Sequence, residues 1–332
     1  MAILEINVYR GNQVKINLVL LKSNNIFSEN INNFFGTKMK TCAFLSMDNL
    51  DDFEVYDHLL FEPLKELGWH AEEVSWRNAE VDWNHFDAVV IRSPWDYQKD
   101  PNAFVDVLNE IEQSDTLLEN SLEIVQWNID KTYLRDLESR GIEIVPSRWH
   151  QTFNPDLFPS IFSDLKSEEI VIKPTISAGA DDTFRIHKSN YDIYIDDLKS
   201  VFTDRPFLVQ PFIDNITTEG EFSVFFFGDT YSHTILKTPK TNDFRVQEEH
   251  GGRLTLVEPE EHLLDVAHAT REIIEPEPLY TRADYVRTDE DTFALMELEL
   301  IEPSLYFNMD PESPKRFAKV FDEWMDKKSI HQ

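Results

Sequence analysis

The chain has 332 residues, a formal charge of −31 and a single cysteine. That length accommodates two or three domains with real cores. The excess of acid argues against nucleic acid or an anionic membrane as partner, since phosphate-rich surfaces are held by clustered Lys and Arg, and Cys42 alone permits neither an intramolecular disulfide nor a cysteine-based zinc site. No run approaches the roughly 18 apolar residues of a membrane helix. The apolar stretch 16–21 is too short and too closely flanked by polar residues to make a signal peptide, so a cytoplasmic location is expected.

Residues 1–38 differ from the rest. They hold eight asparagines and only two acids, Glu5 and Glu29. Met39 then reads as a start methionine before a core strand. The leader is expected to be a poorly ordered extension or a translated upstream region; an extra strand and loop is the competing reading. From Met39 strand and helix patterns alternate. A strand is expected over 41–46, and a helix over 56–67 with Gly68 as its stop. Strands follow over 71–75 and 88–92, then a helix over 101–113 with Pro101 in its first turn. This rhythm predicts a small parallel-sheet α/β domain over 39–120. Next come a helix over 130–140 ended by Gly141 and a short strand over 143–145. Strands over 169–173 and 207–212 follow, then a hairpin of 222–227 and 231–236 around Gly228-Asp229. A helix over 260–274, two acidic strands and a helix over 314–325 complete the pattern.

The acidic strands carry the chemistry. In Met296-Glu297-Leu298-Glu299-Leu300 the apolar and acidic residues alternate with period 2, which puts Met296, Leu298 and Leu300 on a buried face and two carboxylates on the other. Adjacent carboxylates repel and resist desolvation unless a cation sits between them. A hard divalent cation with oxygen ligands suits that need. Upstream, Arg282-Ala283-Asp284 places Arg282 and Asp284 on one face of a neighbouring strand. Asp284, Glu297 and Glu299 are therefore candidate metal ligands beside Arg282.

No G-x-x-x-x-G-K-[ST] and no G-x-G-x-x-G is present, so neither a P-loop nor a Rossmann site is supported. Lys173 instead ends an apolar strand and is followed by Ser177-Ala178-Gly179-Ala180. Such a small-residue loop can bring backbone N–H groups close to a polyphosphate.

Lys131 after Trp127-Asn128-Ile129-Asp130, Lys173-Pro174, Gln210-Pro211-Phe212, Gly220-Glu221, and Arg282-x-Asp284 ahead of Glu297-Leu298-Glu299 occur in that order. The set resembles the ATP-grasp superfamily over about residues 125–325. More narrowly it resembles the prokaryotic glutathione-synthetase-like group that includes the O-ureido-serine cyclo-ligase of cycloserine biosynthesis. The strings Arg92-Ser93-Pro94-Trp95-Asp96-Tyr97, Ser232 to Lys237, Gln247 with Gly251-Gly252, and Glu297 to Leu305 support this. The resemblance implies an ATP-grasp fold, with two α+β subdomains over 121–205 and 206–328 behind the small α/β domain. It implies ATP with Mg²⁺, or Mn²⁺ in its place. Lys131 and Lys173 would hold the α- and β-phosphates, with Ser177 and Gly179 in the phosphate loop. Gln210, Pro211 and Phe212 would lie along the adenine and Glu221 would accept from the ribose. Asp284, Glu297 and Glu299 would hold the metal. Arg282 would stabilise the transferring phosphoryl group, with Lys237 close by.

The implied reaction is ATP-dependent ligation of a small carboxylate to an amine through an acyl phosphate, between two molecules or, in a cyclo-ligase, within one. A peptide-modifying ligase and a non-catalytic ATP-binding module are the rivals. A homodimer is in keeping with the family. Arg92, Ser93 and Asp96 follow a buried strand, where α/β sheets present ligands; Arg92 either clamps a substrate carboxylate or belongs to a turn pinned by Trp95. Ser93 lacks His and Asp partners for a hydrolase triad. His233 and His250 read as structural or lid residues, Gly179 and Gly251-Gly252 as lid hinges or ordinary turns. Asp181 and Asp182 either point outward or meet a substrate amine.

Overall fold

A computed structural model describes residues 39–51, 53–241 and 243–330. The expectation for 1–38 lies outside the described residues. Residues Lys40–Gln332 form one compact unit.

Its first sheet is parallel, with strand order β2-β1-β3-β4, built from β1 (Lys40–Ser46), β2 (Trp69–Ser75), β3 (Ala88–Ser93) and β4 (Leu117–Glu119). Between the strands run α1 (Phe61–Glu66) and α2 (Pro101–Glu112). The expected helix over 56–67 is shorter, with a 3₁₀ turn over Asp57–Leu60 ahead of it. Pro63 is the reason: its missing N–H is harmless only in a first turn, so the α-helix begins at Phe61. α2 starts where Asp100 accepts from the Ala103 N–H at 3.2 Å, satisfying an otherwise orphaned donor. The sheet is buried on both sides. Ala43, Leu45, Val89 and Ile91 pack on Phe104, Leu108 and Ile111 of α2, while Cys42, Phe44 and Val90 pack on Leu60, Leu64 and Trp69.

The middle of the chain contains α3 (Leu122–Asn128), α4 (Tyr133–Ser139), β5 (Arg148–His150), α5 (Phe158–Asp164), β6 (Glu169–Pro174), β7 (Phe184–His187), α6 (Ile195–Phe202) and β8 (Phe207–Pro211). Its antiparallel sheet has order β5-β8-β6-β7, and α5 and α6 close over Ile170, Ile172 and Ile186. The helix expected over 130–140 is α4, which begins three residues later, and an unexpected helix, α3, precedes it across a break. At the break the Lys131 N–H goes to the Thr175 carbonyl at 2.8 Å, outside any helix. The expected strand over 143–145 reduces to a single parallel bridge from Ile144 to Leu295.

The last part contains α7 (Asn215–Thr218), β9 (Glu221–Phe227), β10 (Thr230–Thr238), β11 (Arg253–Val257), α8 (Glu261–Glu272), β12 (Tyr280–Arg287), β13 (Phe293–Glu299) and α9 (Ser313–Ile330). Its antiparallel sheet runs β11-β10-β9-β12-β13. One face, with Val224, Phe226, Ala283, Tyr285, Leu295 and Leu298, is buried against Leu134 and Leu137 of α4 and Leu263 and Ala267 of α8. The other face divides along its length. Phe225, Phe227 and Ile235 pack on the parallel sheet and on Phe317 and Phe321 of α9, while the opposite ends of the same strands carry charge. The final helix thus belongs to a core shared with the first sheet.

Candidate active site

Strand register assembles the charged end. In the β12–β13 ladder Arg282 faces Glu299 and Asp284 faces Glu297; in β9–β10 Glu221 faces Lys237; across β9–β12 Ser223 faces Asp284. Directly opposed residues lie on one side of a sheet, so four strands contribute to a single face. The register shifts between Asp284 and Tyr285, which next pairs with Leu295. Met296 is the extra residue of this bulge. Simple alternation put Met296 on the buried face with Leu298 and Leu300. The bulge corrects that: Met296 is half-buried and lines the site cavity.

The cavity has a volume of about 420 Å³, within the range of small-molecule sites. Two cations from other elements reach across it to one carboxylate. Lys131 lies 3.1 Å from Glu297, and Lys173 at the end of β6 lies 3.9 Å from the same group. Lys131 is held in place by the Ser177 carbonyl, which its Nζ meets at 2.7 Å. Thr175 Oγ1 donates to Asp130 at 2.8 Å, so the loop after β6 and the α3–α4 break are tied together. In that loop Gly179, Ala180 and Asp182 have positive φ; the latter two side chains make this an uncommon, strained backbone. Asp182 turns outward to Arg205 at 2.5 Å, whereas Asp181 lines the cavity.

Gln210, Pro211 and Phe212 also line the cavity, at the passage from the middle sheet to the last one. Gln210 donates to Ser147 at 3.0 Å. Glu221 and Arg282 reach the wall; Asp284 and Lys237 lie beneath it. Asp284 accepts from Ser223 at 2.5 Å, is paired with Arg282 at 2.9 Å and with Lys237 at 3.3 Å. Lys237 also pairs closely with Glu221, and Arg282 with Glu299.

These neighbours set the charge states. Burial raises the Asp284 carboxyl, but Arg282 and Lys237 outweigh it and bring it down to about 2. Burial likewise works against Glu297, and Lys131 and Lys173 hold it below the usual carboxylate range. Glu299 goes the other way: burial pushes it up to about 8, with Arg282 opposing. Burial lowers Lys173 despite Glu297.

The structure does not bring Arg92, Ser93 or Asp96 to the cavity wall. Arg92 is fully buried, paired with Asp57 at 2.9 Å, and donates to the Pro303 carbonyl at 3.1 Å. Asp96 accepts from Trp76 and Arg77 at 2.8 and 2.7 Å. Their neighbours on the same turn, Trp95 and Tyr97, do line the cavity, as do Phe53, Glu302, Ser304 and Tyr306. No motif marked those positions, although Glu302-Pro303 directly continues the acidic strand. His233 is structural, its Nε2 lying 3.1 Å from the Leu305 carbonyl and its ring stacked 4.3 Å from Phe225. His250 lies 3.4 Å from the Gly179 carbonyl, linking two loops at the cavity. Gly252 has a steric role: a Cβ there would fall 1.9 Å from the Val246 carbonyl oxygen.

Among the described residues no three of His, Cys, Asp and Glu are gathered closely enough to hold a metal by themselves. The residues present nevertheless fit Mg²⁺. Glu297 and Glu299 offer hard oxygen donors on the wall, and Mg²⁺ beside a polyphosphate needs only one or two carboxylates, taking its other ligands from phosphate and water.

Residues 42–120 match the domain family described as D-cycloserine synthetase DcsG, N-terminal domain. The cycloserine biosynthesis protein DcsG of Streptomyces lavendulae is 27% identical over 280 residues, covering 80% of this chain and 92% of that protein. A crystal structure of D-cycloserine synthetase DcsG superposes with a TM-score of 0.76 at 25% identity, over 86% of this chain and 99% of that one. The ATP-grasp ligase PsnB, solved with minimal precursor, Mg and ADP, shares the fold at a TM-score of 0.60 and 13% identity, over 87% of this chain and 99% of that one. D-alanyl-alanine synthetase A of Vibrio cholerae shares it at 0.63 and 13%, over 88% of this chain and 98% of that one. No helix among the described residues is long and apolar enough to cross a membrane. With its parallel leading sheet, its two antiparallel sheets and these relatives, the chain has the fold of the ATP-grasp ligases and is similar over most of its length to the cycloserine-biosynthesis protein DcsG.

Proposed function

We propose that the enzyme activates a small amino-acid-like carboxylic acid as its acyl phosphate and joins it to an amine, which in a cyclo-ligase belongs to the same molecule. The substrate carboxylate takes the γ-phosphoryl group of ATP and ADP departs; the amine nitrogen then attacks the acyl carbon and phosphate leaves. The supporting observation is the pairing of Lys131 and Lys173 with Glu297 across the cavity. Two cations and a carboxylate so placed can rearrange around a polyphosphate and a metal: the lysines turn to phosphate oxygens and the carboxylate to the cation.

In this reading Lys131, Lys173 and the Ser177–Gly179 loop hold the phosphates. Gln210, Pro211, Phe212 and Met296 border the adenine, and Glu221 accepts from the ribose. Glu297 and Glu299 hold Mg²⁺, which when bound neutralises phosphate charge. Asp284, the third acid of the expected set, fixes Arg282 and Lys237 from beneath. Arg282 steadies charge on the transferring group, an electrostatic task that dominates phosphoryl transfer. Apolar walls keep water from the acyl phosphate.

The test is ADP release with ATP and Mg²⁺ against amino acids, dipeptides and O-ureido-serine, with products identified by mass. An amino-acid-like acid is expected to stimulate release, and Glu297→Gln to lower it by about a hundredfold or more. Silence across the whole panel sinks the ligation reading. Normal turnover by Glu297→Gln places the metal elsewhere.

A further inference from the structure

The phosphate and metal roles leave part of the cavity wall unused. Phe53, Trp95, Tyr97, Glu302, Ser304 and Tyr306 line it as well. Glu302 is half-buried and, among the described residues, makes no ion pair. The other carboxylates held inside the wall all have one: Glu221 with Lys237, Glu297 with Lys131, Glu299 with Arg282. Asp181 and Glu249, also unpaired, are exposed at the rim.

The surroundings of Glu302 are aromatic and fixed. The Trp95 indole N–H donates to the backbone carbonyl of Glu302 itself at 2.9 Å, which ties the ring to that residue. The Phe53 ring centroid lies 5.4 Å from that of Trp95. Tyr97 is buried and lines the cavity beside it, and burial together with the nearby Glu302 raises its phenol, so it stays protonated. A partly desolvated carboxylate with no ion pair lacks a counter-charge, and burial accordingly pushes the Glu302 carboxyl up to about 7, a cost that a cation beside it would relieve. Aromatic faces attract cations through their quadrupoles. A carboxylate and such faces together meet the needs of a substituted ammonium ion: charge, hydrogen-bond acceptance and apolar contact.

We propose that Glu302, framed by Trp95, Tyr97 and Phe53, binds the ammonium group of the acid substrate, so that the site selects amino acids over acids that lack the amine. The identity of the guest as the activated acid rests on the ligase reading above; its positive charge does not. An ammonium held in this way keeps its proton and is therefore the recognition handle, while a different nitrogen attacks the acyl phosphate.

Matched pairs test this: serine with glycerate and alanine with lactate, in both D and L forms, on the full-length protein. Two readouts are taken: ADP release with ATP and Mg²⁺, and the melting-temperature shift of protein loaded with Mg²⁺ and a non-hydrolysable ATP analogue. The wild type is expected to favour the amine-bearing member by about a hundredfold. Glu302→Gln is expected to remove that preference through KM for the amino acid, leaving KM for ATP and for the hydroxy acid in place. Retention of the preference by Glu302→Gln overturns the proposal, as does a fall in kcat with KM unchanged, which would put Glu302 in the chemistry. Should no acid stimulate ADP release, it is the ligase reading that fails, and the melting shift then decides alone. An amine-dependent shift lost in Glu302→Gln supports the ammonium site; a wild type indifferent to the amine refutes it. If Glu302→Gln does not fold, Trp95→Leu takes its place, with a weakened amine preference expected and an unchanged one overturning the proposal.

Discussion

Replacing Lys237 by methionine distinguishes a buried brace from a group that acts on substrate. Its ammonium is almost wholly buried between Glu221, in close contact, and Asp284 at 3.3 Å. Burial alone would lower the lysine, but Asp284 and Glu221 outweigh it and hold it above its ordinary value, so it is charged. Methionine fills nearly the same space and removes only the charge. Two buried carboxylates then share what remains; Asp284 keeps Arg282 at 2.9 Å, whereas Glu221 has no other ion pair among the described residues. Breaking a buried pair on one side costs about 3–5 kcal/mol, a large part of the ~5–15 kcal/mol of a typical fold. For a chain of this size that is a fall of about 5–8 °C in Tm. Glu221→Gln added to Lys237→Met removes the stranded charge, and about half of the loss should return. Calorimetry or circular dichroism on the single and double variants reads both numbers. A Lys237→Met protein that melts within about 2 °C of wild type yet has lost ADP release would refute the brace and make Lys237 a catalytic group.

Two further outcomes follow from buried charges. Burial pushes His233 down to about 4, whereas an unfolded histidine titrates near 6.5. Its stabilising contribution is therefore complete above pH ~6.5, declines as the unfolded chain takes up the proton, and is lost as pH falls through about 4, a swing of about 3 kcal/mol. Urea midpoints measured between pH 7.5 and 4.5 should fall less steeply for His233→Gln than for wild type, and equal slopes would contradict the assignment. Arg92→Met should cost about 3–5 kcal/mol by leaving Asp57 buried and unpaired, with KM for the acid unchanged. A raised KM with an unaltered melting point would instead return Arg92 to the substrate.

Much of the fold was legible because hydrophobic period and turn chemistry are local. Strand 88–92 emerged as one apolar run, the hairpin around Gly228-Asp229 by its turn, and α2 by Pro101. Short elements escaped: β4, β5 and β11 have three to five residues, too few for a period to register, and the α3–α4 break depends on a hydrogen bond to Thr175, far along the chain. The same division runs through the site. Glu297, Glu299, Asp284 and Arg282 could be read as one charged face because cross-strand neighbours follow from alternation. Met296 could not be placed correctly, since a bulge leaves no mark on composition.

The amino-acid order alone determined the strand and helix rhythm, the acidic strand pair and the sequence of lysines, glutamine and acids that marks the superfamily, all of them properties of neighbouring residues. Only the folded chain decided which cation serves which acid. Arg92 goes to Asp57, Lys237 to Glu221 and Asp284, Lys131 and Lys173 to Glu297, and among the described residues Glu302 receives none. The physical reason is range: ion pairing within a core depends on distance and desolvation among groups that strand register brings together from far apart in the chain.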